Sequence, residues 1–227
     1  MVDENQTTEF TPAPELKIAD LDTLRVLADP QRFRLIEAMA TRPREAWTVK
    51  ELARTVGAAP TKLYYHMNLL EEHGLIVVTG SRLVSGILEK RYQVAADQLS
   101  VDRALFETGD PAANETLYTV LSTILDTTQT DIRGAVKAGI ASLHHEEGDP
   151  DREPIFLSKG FARLSRARAV EFRARLKELY AEFEDPSSGA GGATDRHPYS
   201  LVVAFYPVVE ERTRRRRARR PVTRTAP

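Results

Sequence analysis

The stretch 48-TVKELARTVGAAPTKLYYHMNLLEEHGLI-76 decides the fold of this chain. Thr48, followed three residues later by Glu51, has the form of a capping box, which predicts a short helix over about 49–56. Gly57 suits the left-handed position that ends a helix, and Pro60 suits the first position of the next one. Two short helices joined by a tight turn with a glycine predict a helix-turn-helix.

The second helix of this pair, over 60–73, has two different faces. Leu63, Met67 and Leu70 recur at helical spacing, so one face is predicted to be buried. The other face is rich in hydrogen-bonding groups and carries little charge: Thr61, Lys62, Tyr64, Tyr65 and Asn68. Such side chains can contact base edges or phosphates in a DNA major groove, so these five are predicted to bind DNA. The competing interpretation is that the two tyrosines are half-buried packing residues.

Two β-prone runs follow this helix, LIVVTG at 75–80 and LEKRYQV at 88–94. The polar, glycine-containing stretch between them predicts a hairpin with a longish loop, and such a hairpin after a helix-turn-helix gives the winged form of the motif. Arg82 near the tip and Arg91 on the return strand are predicted to contact phosphates or enter the minor groove. Lys90 is left open between a phosphate contact and a solvated side chain.

The residues before the motif predict a further pair of helices. Asp29 suits an N-cap between them, and Pro30 suits the first position of the second helix, over about 30–41. Residues 1–18 lack periodicity, so we expect a disordered lead-in. The winged helix-turn-helix domain is therefore predicted to span 19–100.

A long helix from about residue 115 opens the C-terminal part of the chain, 110–207. Its apolar positions at helical spacing include Leu121, Ile124, Leu125 and Ile132. A long helix with a continuous apolar stripe needs a partner, so we predict that it forms the contact of a homodimer. Alternating runs further on predict two strands, about 155–163 and 199–206, that share a small sheet. The expected fold class is α+β and mainly helical, a winged helix-turn-helix domain followed by a helical dimerisation module with a small β-sheet.

Aromatic side chains are frequent in this module: Tyr118, Phe156, Phe161, Phe172, Tyr180, Tyr199, Phe205 and Tyr206. Small-molecule sites are mostly apolar clefts with few polar groups. These aromatics therefore either line a site for a small organic effector, between the long helix and the small sheet, or fill the core of a dimerisation module. Both interpretations stay open.

No cofactor, metal or catalytic site follows from the residues. The chain has no cysteine, which excludes disulfides, thiolate metal ligands and a cysteine nucleophile. One cluster, His144, His145, Glu146 and Glu147, has metal-ligand chemistry. Adjacent histidines point to different sides of a helix, so a solvated helix end is favoured there. No Ser-His-Asp arrangement or carboxylate pair can be argued, and no enzyme is expected.

The net charge of -1 hides an uneven distribution. Residues 42–93 hold eight lysines and arginines against five glutamates, and residues 210–227 hold eight arginines against two glutamates. Such basic segments indicate an anionic partner. The tail, 208–227, is expected to be disordered and to add either nonspecific phosphate affinity or only solubility. No apolar run approaches the length of a membrane span, and the acidic start does not resemble a signal peptide, so we expect a cytoplasmic protein without a membrane partner.

Three segments resemble a known family in the same order along the chain: LADPQRFRLIEAM, ELARTVGAAPTKLYYHMNLLEEHGLI and GILEKRYQVAAD. They are similar to the ArsR-type winged helix-turn-helix transcriptional regulators, above all to the subgroup with a long C-terminal extension, over about 21–97. The resemblance implies a homodimer that binds double-stranded DNA, more often as a repressor. The chain departs from the family's metal sensors in lacking their cysteines, so metal sensing is not carried over.

The expected function is therefore that of a sequence-specific DNA-binding transcriptional regulator. Some methyltransferases use an N-terminal winged helix for dimerisation, but they need a much larger nucleotide-binding domain with a glycine-rich loop after its first strand. The main alternative is a winged-helix protein-interaction module without specific DNA binding. Salt-dependent DNA binding would separate that module from a regulator.

Overall fold

The computed structural model of the chain describes residues 5–7, 9–84, 86–107, 109–142, 153–184 and 198–208. The helices are α1 (Leu21–Leu27), α2 (Pro30–Ala40), α3 (Val49–Val56), α4 (Pro60–Glu72), α5 (Ala104–Glu107), α6 (Pro111–Lys137) and α7 (Arg166–Glu184). The strands are β1 (Asn5–Thr7), β2 (Ala13–Ile18), β3 (Trp47–Thr48), β4 (Ile76–Val84), β5 (Ile87–Val94), β6 (Ala96–Val101), β7 (Ala141–Ser142) and β8 (Glu153–Pro154). The fold is α+β and mainly helical, as predicted. The chain divides into two compact units, Met1–Phe156 and Leu157–Pro227.

Local capping determines where the helices of the first unit begin and end. The carboxylate of Asp29 accepts two hydrogen bonds of 3.0 Å from backbone N–H groups in the first turn of α2. Thr48 and Glu51 form the predicted capping box of α3, and Gly57 ends that helix with a φ of 67°. The predicted bounds of α3 are confirmed, whereas α2 and α4 each end one residue earlier than predicted.

The first four helices enclose an apolar core to which the strands of the wing contribute. The predicted inner face of α4 lies within it. The largest fully buried side chains of this core are Leu24, Leu35, Met39, Leu52, Leu63, Met67, Leu70, Leu75 and Ile76. Complete burial of one such side chain stabilises the fold by roughly 1.5–3 kcal/mol. This core therefore holds α4 in one rotational position about its own axis.

The predicted wing is present as the antiparallel hairpin of β4 and β5, but the longish loop predicted between the strands is wrong, because β4 continues to Val84 and β5 begins at Ile87. Its register places Val84 opposite Ile87 and Arg82 opposite Glu89. The outer edge of β5 pairs with β3, and β1 pairs with β4, so the sheet has the strand order β1-β4-β5-β3. The hairpin begins directly after α4, because Gly74 takes a φ of 65° and turns the chain.

The prediction of a disordered lead-in over 1–18 is wrong for residues 5–7, which form β1, and for residues 13–18. Residues 13–18 form β2, which pairs in parallel with β6 and places Ile18 opposite Val101. Ile18 is buried, and this burial stabilises the pairing. Pro14 is compatible with the strand because a two-stranded sheet has only edge strands. The partner strand follows only after the whole winged motif, so local periodicity could not reveal the pairing.

The long helix α6 begins at Pro111 rather than at about 115 and packs on α1 and α2. Its buried residues lie on one face: Ala113, Thr116, Val120, Thr123 and Thr127. Ile124, which was predicted to contact a second copy, instead packs partly against the core of its own unit. Leu121 and Leu125 of the same predicted stripe are exposed. The stripe is therefore divided between an inner and an outer face.

The prediction of two strands in the C-terminal part is wrong. Residues 155–163 and 199–206 are described, and neither segment forms a strand. Alternation supplies side chains for two faces, but a strand also needs a neighbouring backbone along its length to pair with. The N–H of Ile155 donates a hydrogen bond of 3.0 Å to the carbonyl oxygen of Ser142, and this contact does not continue into a strand. The ring of Phe205 packs instead on Phe172 of α7, with 5.2 Å between centroids. The short β7–β8 pair belongs to the first unit.

The described part of the second unit is open. Helix α7 begins behind Ser165, as predicted, because the Ser165 hydroxyl oxygen accepts a hydrogen bond of 3.2 Å from the N–H of Arg168. No described side chain between residues 157 and 208 is buried. Within one copy, the aromatics of this unit therefore do not form a packed core, and the sheet expected to wall an effector site is not formed. The predictions for His144, His145, Glu146, Glu147 and the tail beyond 208 lie outside the described residues.

Candidate nucleic-acid interface

Helix α4 presents all five of its predicted residues to solvent. The buried side chains of Leu63, Met67 and Leu70 hold the opposite side of the helix in the core. The exposed side, called the groove face here, consists of Thr61, Lys62, Tyr64, Tyr65 and Asn68. Ala59, the N-cap, supplies no side-chain hydrogen bond to the first turn. The start of the helix therefore keeps N–H groups that favour a nearby anion.

The two adjacent tyrosines have different surroundings. Tyr65 is 65% exposed, and its ring meets His66 edge to face with 5.6 Å between centroids. Tyr64 is 49% exposed and stands beside the wing. Tyr92 on β5, in contrast, is buried, and burial raises the pKa of its phenol to about 12. A packing role therefore describes Tyr92, whereas the side chain of Tyr65 is available to a partner.

An open cleft of about 200 Å³ lies between α4 and the wing, called the wing cleft here. Tyr64 and Asn68 of the groove face line one side of it. The remaining lining comes from the start of α3 and from β5: Val49, Lys50, Leu88, Glu89, Lys90 and Tyr92. Two predicted residues and two lysines thus share one concave surface, while Lys62 and Tyr65 lie outside it.

Arg82, the predicted phosphate contact of the wing, is bound to a carboxylate across the hairpin. Its Nε and Nη2 atoms lie 2.8 and 2.7 Å from Oε2 of Glu89. Lys50 at the start of α3 approaches Oε1 of the same carboxylate at 3.1 Å. The hydrogen bonds from Arg82 and Lys50 lower the pKa of Glu89 below its ordinary value, so the carboxylate is ionised at neutral pH. Two cations therefore share one anion at the edge of the cleft.

The other basic residues of β5 also have acidic neighbours. Nζ of Lys90 lies 2.9 and 3.1 Å from the two carboxylate oxygens of Glu71 on α4. Arg91 is close to the capping box of α3 and does not line the cleft. Burial opposes the ionisation of Glu51, but hydrogen bonds from Thr48 and the charge of Arg91 outweigh it and lower the pKa of Glu51. The structure therefore does not bring Arg91 together with the groove face.

Sequence reasoning missed three residues of this surface: Lys50, Glu71 and Glu89. A signal for Glu89 was present, because Arg82 and Glu89 are equally distant in sequence from positions 85 and 86, and a symmetric hairpin pairs such residues. No comparable signal exists for the contact between Glu71 and Lys90. It joins a helix to a strand through tertiary packing.

Comparison with known families matches residues 27–79 to the family model described as a helix-turn-helix domain. The matched range covers α2, α3, α4 and the first part of β4, which is the part that carries the groove face. This chain therefore contains a helix-turn-helix domain of the winged type that is typical of DNA-binding regulators. The description does not single out the ArsR type. A search of the curated proteins found no match. No described helix combines the length and the apolarity that crossing a bilayer requires.

Proposed function

We propose that this protein is a homodimeric transcriptional regulator that binds specific sequences of double-stranded DNA, as a repressor of the ArsR type. The groove face of α4 carries the proposal. It offers one cation and four hydrogen-bonding side chains, all exposed, on a helix whose other face is fully buried. Base edges in a major groove require such an array, and the family match over 27–79 supports the same class.

Each residue of the groove face has a contact that its chemistry favours. The amide of Asn68 can pair with N6 and N7 of adenine, and Lys62 can bind guanine or a phosphate. The phenol hydroxyls of Tyr64 and Tyr65 can bind phosphates, while their rings can pack against a sugar or a thymine methyl group. Thr61, one turn before the cleft residues, completes the face. The domain over 19–100 would thus read DNA mainly through α4.

The wing would contribute contacts to the backbone of the same DNA. Arg82 lies on the wing near its turn and keeps 47% of its side chain exposed despite its bond to Glu89. It can therefore reach a phosphate or the minor groove. Arg91 is part of the proposal only as a background charge, because it lies near Glu51 and away from the cleft.

A second copy would bind the outer face of α6. A second row of residues, called the outer seam here, lies on the other side of this helix. Each of its members follows a buried residue by five positions: Tyr118, Leu121, Leu125, Thr128 and Ile132. Five residues correspond to a rotation of about 140°, so the outer seam lies nearly opposite the buried row. Its spacing alternates between three and four residues, as in a coiled coil. The module over 110–207 would thus join two copies whose reading helices meet half-sites about one turn of DNA apart.

A small organic effector is also part of the proposal. Apart from Phe205, the described aromatics of the second unit, including Phe161 and Tyr199, are exposed in one copy, and they offer apolar surface that a ligand or the second copy would cover. An effector would change the DNA affinity of the dimer. Titration of the DNA complex with the small-molecule fraction of a cell extract tests this point. An unchanged affinity would leave dimerisation as the role of these aromatics.

Selection of bound fragments from a random DNA pool tests the proposed function. We expect a pseudo-palindromic sequence to be enriched. With that sequence as probe, Asn68→Ala should weaken binding by roughly 1–3 kcal/mol. Asn114→Ala is the matched control, because Asn114 is also an exposed asparagine and lies on α6. Failure to bind any DNA would favour the protein-interaction module.

A further inference from the structure

Three basic residues around the wing cleft are held by carboxylates of the same chain. Glu89 binds Arg82 and Lys50, and Glu71 binds Lys90. We call the three basic residues the wing cations and the two acidic residues the wing carboxylates. Glu89 lies beneath its two cations, because its side chain is 13% exposed and the Arg82 and Lys50 side chains are 47% and 61% exposed.

We infer that the wing carboxylates restrain DNA binding, because they act as built-in counterions that DNA phosphates must displace from the wing cations. The inference rests on the proposed function and assigns a role to residues that do not read bases. Lys62, on the groove face, is different. It forms no ion pair with any residue that the structure describes.

The restraint follows from the way in which proteins gain affinity for DNA of any sequence. Each phosphate that a lysine or arginine neutralises releases counterions from the DNA, and this release supplies most of the nonspecific affinity. A wing cation that remains shared with a carboxylate neutralises a phosphate only in part. Fewer counterions are released, so the affinity and its dependence on salt are both smaller than the number of cations predicts.

The opposite effect would be that the carboxylates position the cations and thereby assist binding. The wing cations keep roughly half of their side-chain surface in solvent, so water competes with the carboxylates for them and positioning contributes little here. The negative charge of Glu89, in contrast, lies directly behind two cations that a phosphate would approach. Repulsion therefore outweighs positioning. DNA without the right bases depends on phosphate contacts alone, so the restraint keeps such complexes weak.

Glu89→Gln tests the inference, because it removes the charge and keeps an oxygen that can accept a hydrogen bond. The probe is a duplex of mixed sequence, long enough for two half-sites. We expect this variant to bind about threefold to tenfold more tightly than the unmutated protein, with a slope of log affinity against log salt that is steeper by about 1. Glu72→Gln is the matched control. Glu72 is exposed on α4 and forms no ion pair within the described residues, so its loss should change the affinity less than twofold.

Equal or weaker binding by Glu89→Gln than by Glu72→Gln would overturn the inference, even if the unmutated protein binds DNA well. Absence of DNA binding in all three proteins would overturn the proposed function instead. The two failures are therefore distinguishable. Glu71→Gln provides an independent test through Lys90, and it keeps the inference falsifiable if the less exposed Glu89 is needed for folding. It should tighten binding in the same direction.

Discussion

The hydroxyl of Thr123 donates a hydrogen bond of 3.0 Å to the carbonyl oxygen of Ala28, 95 residues earlier in the chain. This bond joins α6, the proposed dimer helix, to the turn between α1 and α2. The next residue, Asp29, places its carboxylate 3.7 Å from Nδ1 of His66 on α4. The proposed dimer helix and the proposed reading helix therefore contact the same turn from two sides.

Thr123→Val should lower the free energy of unfolding by about 1 kcal/mol, because the bond is lost while the shape of the side chain is kept. Chemical denaturation measures the change. Thr130→Val is the matched control, since the Thr130 hydroxyl binds only the Asp126 carbonyl of its own helix and is exposed. Equal effects of both substitutions would show that the bond to Ala28 contributes no stability.

Leu125→Asp should convert the dimer into monomers without unfolding the first unit. Leu125 lies on the outer seam and is 61% exposed in one copy, so a charge there meets water in the monomer and apolar surface in the dimer. Sedimentation velocity gives the oligomeric state, and circular dichroism tests the fold. Thr119→Asp is the matched control, because it adds the same charge at an exposed position that belongs neither to the buried row of α6 nor to the outer seam. A monomeric unmutated protein would contradict the dimer proposal directly.

Lys62→Ala should reduce the slope of log affinity against log salt by about 1 if Lys62 contacts a phosphate. Its side chain is exposed and forms no ion pair in the described part of the chain, so its whole charge is available to DNA. Binding measured at several salt concentrations gives the slope. Lys137→Ala, at the end of α6, should leave the slope unchanged. A contact between Lys62 and guanine would appear instead as relaxed specificity at one base pair.

Glu37→Gln should remove a dependence of stability on pH. Burial, followed by the negative charge of Asp131, raises the pKa of Glu37 from its ordinary value of 4.5 to about 7, although Arg34 and a hydrogen bond from Thr127 oppose the change. Burial also raises the pKa of Asp131. The folded state therefore binds more protons than the unfolded state between pH 4.5 and 7, and stability falls as the pH rises through this range.

Between pH 4.5 and 7, the free energy of unfolding is expected to fall by an amount on the order of 1–2 kcal/mol. This is less than the full pKa shift of Glu37 implies, because part of its side chain meets solvent. Urea unfolding at a series of pH values measures it. Glu115→Gln, at an exposed position of α6, should keep the slope of the unmutated protein. If the free energy of unfolding of Glu37→Gln depends on pH as steeply as that of the unmutated protein, a group other than Glu37 causes the dependence.

The hairpin and the long helix show how far sequence reasoning reaches. The β4–β5 hairpin was predictable because its strands are adjacent in sequence, but the predicted longish loop was wrong, because backbone pairing continues to Val84 and Ile87. The apolar spacing of α6 was also visible, but it could not show that Ile124 belongs to the inner face and Leu125 to the outer one. That division depends on where α1 and α2 lie, and thus on contacts with residues far away in the chain.

By itself, the sequence determined helix α4, its start at Pro60 and the composition of its groove face, because caps, turns and helical periodicity depend on residues within a few positions of one another. Only the tertiary structure decided which strand pairs with residues 13–18, and it left residues 155–163 and 199–206 without a partner strand. It also decided that Lys90 is bound to Glu71. Both this ion pair and the pairing of β2 with β6 join residues that are distant in sequence, so no local pattern specifies them.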